Sequence, residues 1–166
     1  EQRQVEIDGK QMDVTLYAEV SHDDDIVRVG DHIYLTPDSQ NEPCEIARIA
    51  AMFEIIETGE KMLEVQWFWR PEHIQMPPTM RHDEREVFVS DTVDINAIEA
   101  FESKCYVFQL RESDALPPNI REPHHFFFRR MYDPGKQVFV IARDSEPQIT
   151  QALPPTMADG TAVFQV

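Results

Sequence analysis

Residues 65–73 read VQWFWRPEH and hold both tryptophans of the chain, Trp67 and Trp69. On a strand, positions i and i+2 project from the same side, so the two indoles can form two walls of one pocket. Indole faces attract quaternary ammonium groups, by roughly 0.5–2 kcal/mol per contact depending on desolvation. The chemistry on offer is therefore cation capture. The competing explanation is packing, because tryptophans are usually well buried and a pair on one strand often fills a barrel.

Other residues with chemical potential are weaker. His22 with Asp23, Asp24 and Asp25 has the residue types of a metal site, but adjacent ligands on one loop lack partners. His124 and His125 fall on opposite faces of any strand and read as structural. Cys105 lies in an apolar strand and reads as a buried thiol. Asp83 and Glu84 sit in an acidic loop that could pair with a basic peptide, although a solvated loop is the plainer reading. Arg70, Pro71 and Glu72 read as turn and surface structure. No Ser-His-Asp arrangement, P-loop or dinucleotide fingerprint is present, and nothing implies a cofactor or catalysis.

Composition narrows the partners. The chain has 166 residues, enough for one domain with a proper core, and a formal net charge of -16 from 31 acids against 15 bases. Such a surface repels a phosphate backbone, so direct DNA binding is disfavoured; only short basic pairs such as Arg129-Arg130 occur. Basic peptides, histone tails among them, suit it better. Cys44 and Cys105 make no disulfide framework. No apolar run of about 18 residues could cross a membrane as a helix. The first residue is Glu1, not Met, so the chain is compatible with a fragment and the lack of a targeting signal carries no weight.

The elements that must position the indoles are short strands. Asp8-Gly9, between Val5, Ile7 and Met12, Val14, Leu16, predicts a hairpin. SHDDD (21–25) reads as an acidic loop, and 26–37 as a strand with a turn near Gly30-Asp31. Residues 44–57 carry two patterns: Ile46, Ile49, Met52, Phe53 and Ile56 fit a helical face, while Ile46, Arg48 and Ala50 alternate as in a strand; Pro43 and Thr58-Gly59 bound a piece suited to pairing with 61–69, which favours strand. In 61–70, Leu63, Val65, Trp67 and Trp69 share one face, and Met62, Gln66 and Phe68 the other. Residues 71–85 read as loop, 86–90 as a short strand, and 94–102 as one or two helical turns with Asp94 as N-cap. Residues 104–110 read as a strand, and 124–133 with 136–142 as a hairpin about Pro134-Gly135. The sum is about eight short strands, a mostly-β barrel or sandwich.

The order VRVGDHIYL, EPCEIARIAAMFE, VQWFWRPEH, EREVFVS and KCYVFQL, followed by MYDPGKQVF, resembles the BAH (bromo-adjacent homology) domain, nearest to its heterochromatin-silencing members. The resemblance covers about residues 26–140. It implies a distorted β-barrel, no catalysis, a nuclear location and chromatin-complex partners. Some members hold a methylated histone lysine in an aromatic cage, and on that pattern Trp67 and Trp69 are two walls. The third wall, a tyrosine in the family, falls on Glu45, or on Cys44 if the alignment slides by one; neither is aromatic. Glu45 could accept a hydrogen bond from a mono- or dimethylated ammonium. Tyr34, Phe53 or Tyr132 are the rings that could stand in, with Tyr34, Asp83 and Glu84 as further candidate contacts for a tail. The expected organisation is an N-terminal hairpin and acidic loop (1–25), the BAH domain (26–142) and a proline-containing arm or tail (143–166). Two functions follow: a histone-tail reader, or a protein–protein scaffold without a lysine cage in a silencing, remodelling, DNA-methylation or replication-origin complex.

Overall fold

The computed structural model describes residues 1–141, so the C-terminal arm lies outside the described residues. The chain runs as β1 (Gln2–Ile7), β2 (Lys10–Tyr17), β3 (Glu19–His22), β4 (Asp25–Arg28), β5 (His32–Leu35), β6 (Glu45–Ile55) and β7 (Lys61–Trp69). A 3-10 turn at Pro71–His73 follows, then β8 (Phe88–Ala97), a second turn at Ile98–Ala100, β9 (Phe101–Gln109), β10 (His125–Phe128), β11 (Arg130–Asp133) and β12 (Val138–Ile141). The fold is mostly β, as expected, with 3-10 turns as the described helical pieces.

The ambiguous segment 44–57 is the central strand. β6 pairs with β7 along one edge. Its other edge is shared: Glu45–Arg48 pair with β5 and Met52–Ile55 with β2. A bulge between Ile49 and Ala51 makes this division possible. Before the bulge, Ala47 and Ile49 face the same apolar cluster as Leu63 and Val65; after it, Met52 does, while Ala51, Phe53 and Ile55 face a third cluster with Val5, Val14 and Leu16.

β10, β9, β5, β6, β7 and β8 follow one another around the sheet. Phe127 brings its two ends together. Its N–H donates to the Arg85 carbonyl at 3.0 Å and its carbonyl accepts from Val87 N–H at 2.9 Å. Ile46, Phe68, Val89, Cys105, Phe126 and Phe128 fill the space so enclosed. The β3–β4 hairpin lays Val20 and Val27 on the opposite face, against Ile33, Leu35, Ile49 and Val65.

Several local expectations change. The acidic run at 21–25 is not a loop. Asp23 and Asp24 take positive φ (47° and 68°) and turn the chain between His22 and Asp25, which pair. Asp8 (50°) and Gly9 (78°) make the same kind of turn, as predicted. Asp94 is not a helix N-cap. It sits within β8 opposite Val65, because the ladder with β7 continues to Ala97. Only Ile98–Ala100 turn, and they lack a side-chain cap. The strand expected at 86–90 starts at Phe88 and is ten residues long. The stretch 124–133 changes partner midway, pairing parallel with β9 and then antiparallel with β12.

One buried group conflicts with this core. Glu64 is fully buried, and neither carboxylate oxygen has a hydrogen-bond partner. Burial pushes its carboxyl up to about 7. A folded value above the ordinary 4.5 means that the native state holds the proton more tightly than the unfolded chain. The stability contribution is therefore complete below pH 4.5 and is lost as pH rises through 7. The loss amounts to roughly 3 kcal/mol. Glu64→Gln should flatten this slope and raise stability at pH 8 by roughly 1–3 kcal/mol, read as urea midpoints at pH 5.5 and 8.

Candidate functional site

Trp67 and Trp69 lie on the β7 face that carries Leu63 and Val65. Trp67 packs partly on the cluster under the β3–β4 hairpin. Trp69 meets Tyr132 edge-on, with ring centroids 6.4 Å apart. Both indoles stay partly exposed. Neighbouring strands add acids to this face. Ala47 pairs with Trp67, so Glu45, two residues earlier on β6, falls beside Trp69. On the other side Asp94 pairs with Val65.

The place of Asp94 depends on a bulge. Phe68 pairs with Val89, but Gln66 pairs with Val93, so β8 spends two extra residues there. Gln66 Nε2 donates to the Ser90 carbonyl at 2.9 Å, and Thr92 N–H donates to Ser90 Oγ at 2.9 Å. A regular ladder continued from Phe68 and Val89 would put Asp94 beside Leu63. The two extra residues slide it to Val65, nearer the indoles, without changing its face.

The result is a cavity of about 240 Å³ lined by Glu45, Trp67, Phe68, Trp69, Arg70, His73 and Asp94. Burial raises the Glu45 carboxyl above its ordinary value, Asp38, Glu42 and Asp94 add to the rise, and His73 opposes it. Arg70 is not a free counter-charge. Its Nε and Nη2 donate to the Cys44 carbonyl at 3.2 and 2.9 Å, and its guanidinium lies 5.4 Å from the Phe126 ring centroid. The cavity thus brings indole rings and carboxylates together, groups of the kinds that attract organic cations.

Of the residues singled out by sequence, the structure brings Trp67, Trp69 and Glu45 together. Cys44 contributes a backbone carbonyl to Arg70 and does not line the cavity. Tyr34 lies elsewhere, its hydroxyl 3.1 Å from His124 Nδ1 and its ring against Phe126. Tyr132 is buried behind Trp69, and Phe53 belongs to the cluster under β1 and β2. Asp83 and Glu84 pair with Arg121 at 2.7 and 3.2 Å, and the hydrogen bond from Arg121 holds the Asp83 carboxyl below its usual value. His22 Nε2 lies 3.2 Å from Asp23 Oδ2, and no group of three or more His, Cys, Asp or Glu among the described residues could hold a metal. Burial pushes the Cys105 thiol up to about 12, which suits an inert core group. Sequence reasoning missed Asp94 and His73. Asp94 needs the bulge to be seen; His73 follows the tryptophan strand directly, in the RPEH run.

The sheet is curled into a half-barrel, with Trp67, Trp69, Glu45 and Asp94 lining a cleft on the face away from its enclosed core. The BAH domain model matches residues 25–142, and the chain belongs to that family, a chromatin-associated module. In Arabidopsis thaliana it is 27% identical over 112 residues to the DNA (cytosine-5)-methyltransferase CMT2, covering 67% of this chain and 8% of that protein. It is 28% identical over 91 residues to the chromatin remodeling protein EBS, covering 55% of this chain and 38% of that protein. The chromatin remodeling protein SHL is 26% identical over 88 residues, with 53% and 39% covered. The chain thus spans well under half the length of these curated relatives. The crystal structure of the yeast Rsc2 BAH domain superposes with a TM-score of 0.64 at 19% identity, over 76% of this chain and 54% of that one. Among the described residues no helix is long and apolar enough to cross a membrane.

Arg70 ties the end of β7 to the residue before Glu45. Arg70→Met should leave the Cys44 carbonyl without its donors and destabilise the domain by about 1–2 kcal/mol, measured as a lower urea midpoint with an unchanged slope.

Proposed function

We propose that this domain is a nuclear, chromatin-binding reader that holds a methylated lysine of a basic tail, histone tails being the first candidates. The observation that carries the reading is the pair Trp67 and Trp69 flanked by Glu45 and Asp94 on one accessible face. The indoles attract the methylated cation, and the carboxylates accept hydrogen bonds from any N–H it retains. Mono- and dimethyl-lysine retain such hydrogens and trimethyl-lysine does not, so the lower methylation states are favoured. The chain's net charge of -16 draws basic partners and repels DNA. Chromatin proteins among the relatives support the setting. No enzymatic role is assigned, since the match to the methyltransferase covers 8% of that protein.

One observation favours a second reading, a protein–protein scaffold of a silencing, remodelling, DNA-methylation or replication-origin complex. None of Tyr34, Phe53 or Tyr132 closes the cavity as a third aromatic wall. The two readings part on one titration. Unmodified, mono-, di- and trimethylated histone-tail peptides are added while tryptophan fluorescence is followed. The reader should respond to methylation, and Trp67→Ala or Trp69→Ala should weaken binding about ten-fold. A domain that responds to no peptide, or whose affinity survives both substitutions, is a scaffold instead.

A further inference from the structure

The cavity has a side that neither tryptophan nor carboxylate covers. Pro71–His73 form a single 3-10 turn directly after β7, and His73 lines the cavity from it. Its backbone N–H donates to the Arg70 carbonyl at 3.0 Å. Arg70 is itself fixed to the Cys44 carbonyl. The turn is therefore tied to the ends of both strands that carry the site, since Arg70 directly follows β7 and Cys44 directly precedes β6. The His73 side chain is exposed at the rim and close enough to Glu45 to act on its charge.

We infer that His73 is the third wall of the cation site, and that its charge decides whether a cation enters. This rests on the reader proposed above. A neutral imidazole is a flat ring that a methylammonium can pack against. A protonated one is a resident cation beside Glu45 that repels the incoming cation. Imidazoles change charge within the physiological range, so binding should release a proton and strengthen as pH rises. The charged groups around His73 are Glu45 on β6, Asp94 on β8, Arg70 at the end of β7 and Glu72 in its own turn; Asp38 and Glu42 act on the same carboxyl from the preceding loop. Glu45 gives a pH dependence of the same sign, so the test must separate the two.

The probes are the N-acetyl amides of mono-, di- and trimethyl-lysine, followed by the indole N–H signals of Trp67 and Trp69 in ¹⁵N-resolved NMR spectra at pH 5.5 and 7.5. The wild-type domain should bind about five-fold more tightly at pH 7.5 than at pH 5.5. His73→Gln should remove most of that difference. His73→Phe should bind well at both pH values and gain most for the trimethylated probe, which needs an aromatic wall rather than an acceptor. A pH difference that survives His73→Gln, or a probe preference that His73→Phe leaves alone, overturns the role of His73 while the indole site stands. Indole signals that respond to no probe in the wild-type domain at either pH overturn both.

Discussion

The pairing of β6 with β7 is the constraint on which the rest depends. β6 is buried on both faces along most of its length, and it serves two different strands on its far edge. A strand so placed cannot shift register without moving three apolar clusters at once. That rigidity positions the last residues of β7. Trp67 is locked opposite Ala47. The barrel, the two covering hairpins and the indole face are thus consequences of one ladder.

Burial and like charge act together on the acids of the cleft. Glu45 is partly desolvated and feels three other acids, which disfavours its charged form, while His73 opposes them. Arg70 could relieve this but is spent on a backbone carbonyl. On the reading proposed above, a bound cation would add a counter-charge beside Glu45. Glu64 presents a different case: a carboxyl fully buried in β7 with no hydrogen-bond partner.

What the sequence made legible follows period-two patterning and turn chemistry. Leu63, Val65, Trp67 and Trp69 share a face, and Asp8-Gly9 turns a hairpin, because both rest on local geometry. The helical look of Ile46, Ile49, Met52 and Phe53 has a physical origin: the bulge at Ala50 interrupts the alternation, and both faces of the strand are buried. Asp94 was misread for a related reason. Its neighbourhood is set by β7, not by its own sequence, and a capping residue type in a short polar stretch says nothing of a distant partner strand. The place of Tyr34 also depends on distant contacts, since its hydroxyl is held by His124, ninety positions away in the chain. His73 stands in the RPEH run directly after the tryptophans, but only the fold shows that it shares a cavity with Glu45.

The bulge at Ser90–Thr92 has an implication for how such domains diversify. Because it inserts an even number of residues, it moves the downstream part of β8 along the ladder without exchanging its faces. Shortening it by two would carry Asp94 away from the indoles while every apolar side chain kept its side. Shortening it by one would turn the strand inside out. Chain length at this point therefore acts as a coarse tuning device, able to add or withdraw one acidic wall in a single indel where substitution would have to rebuild the strand.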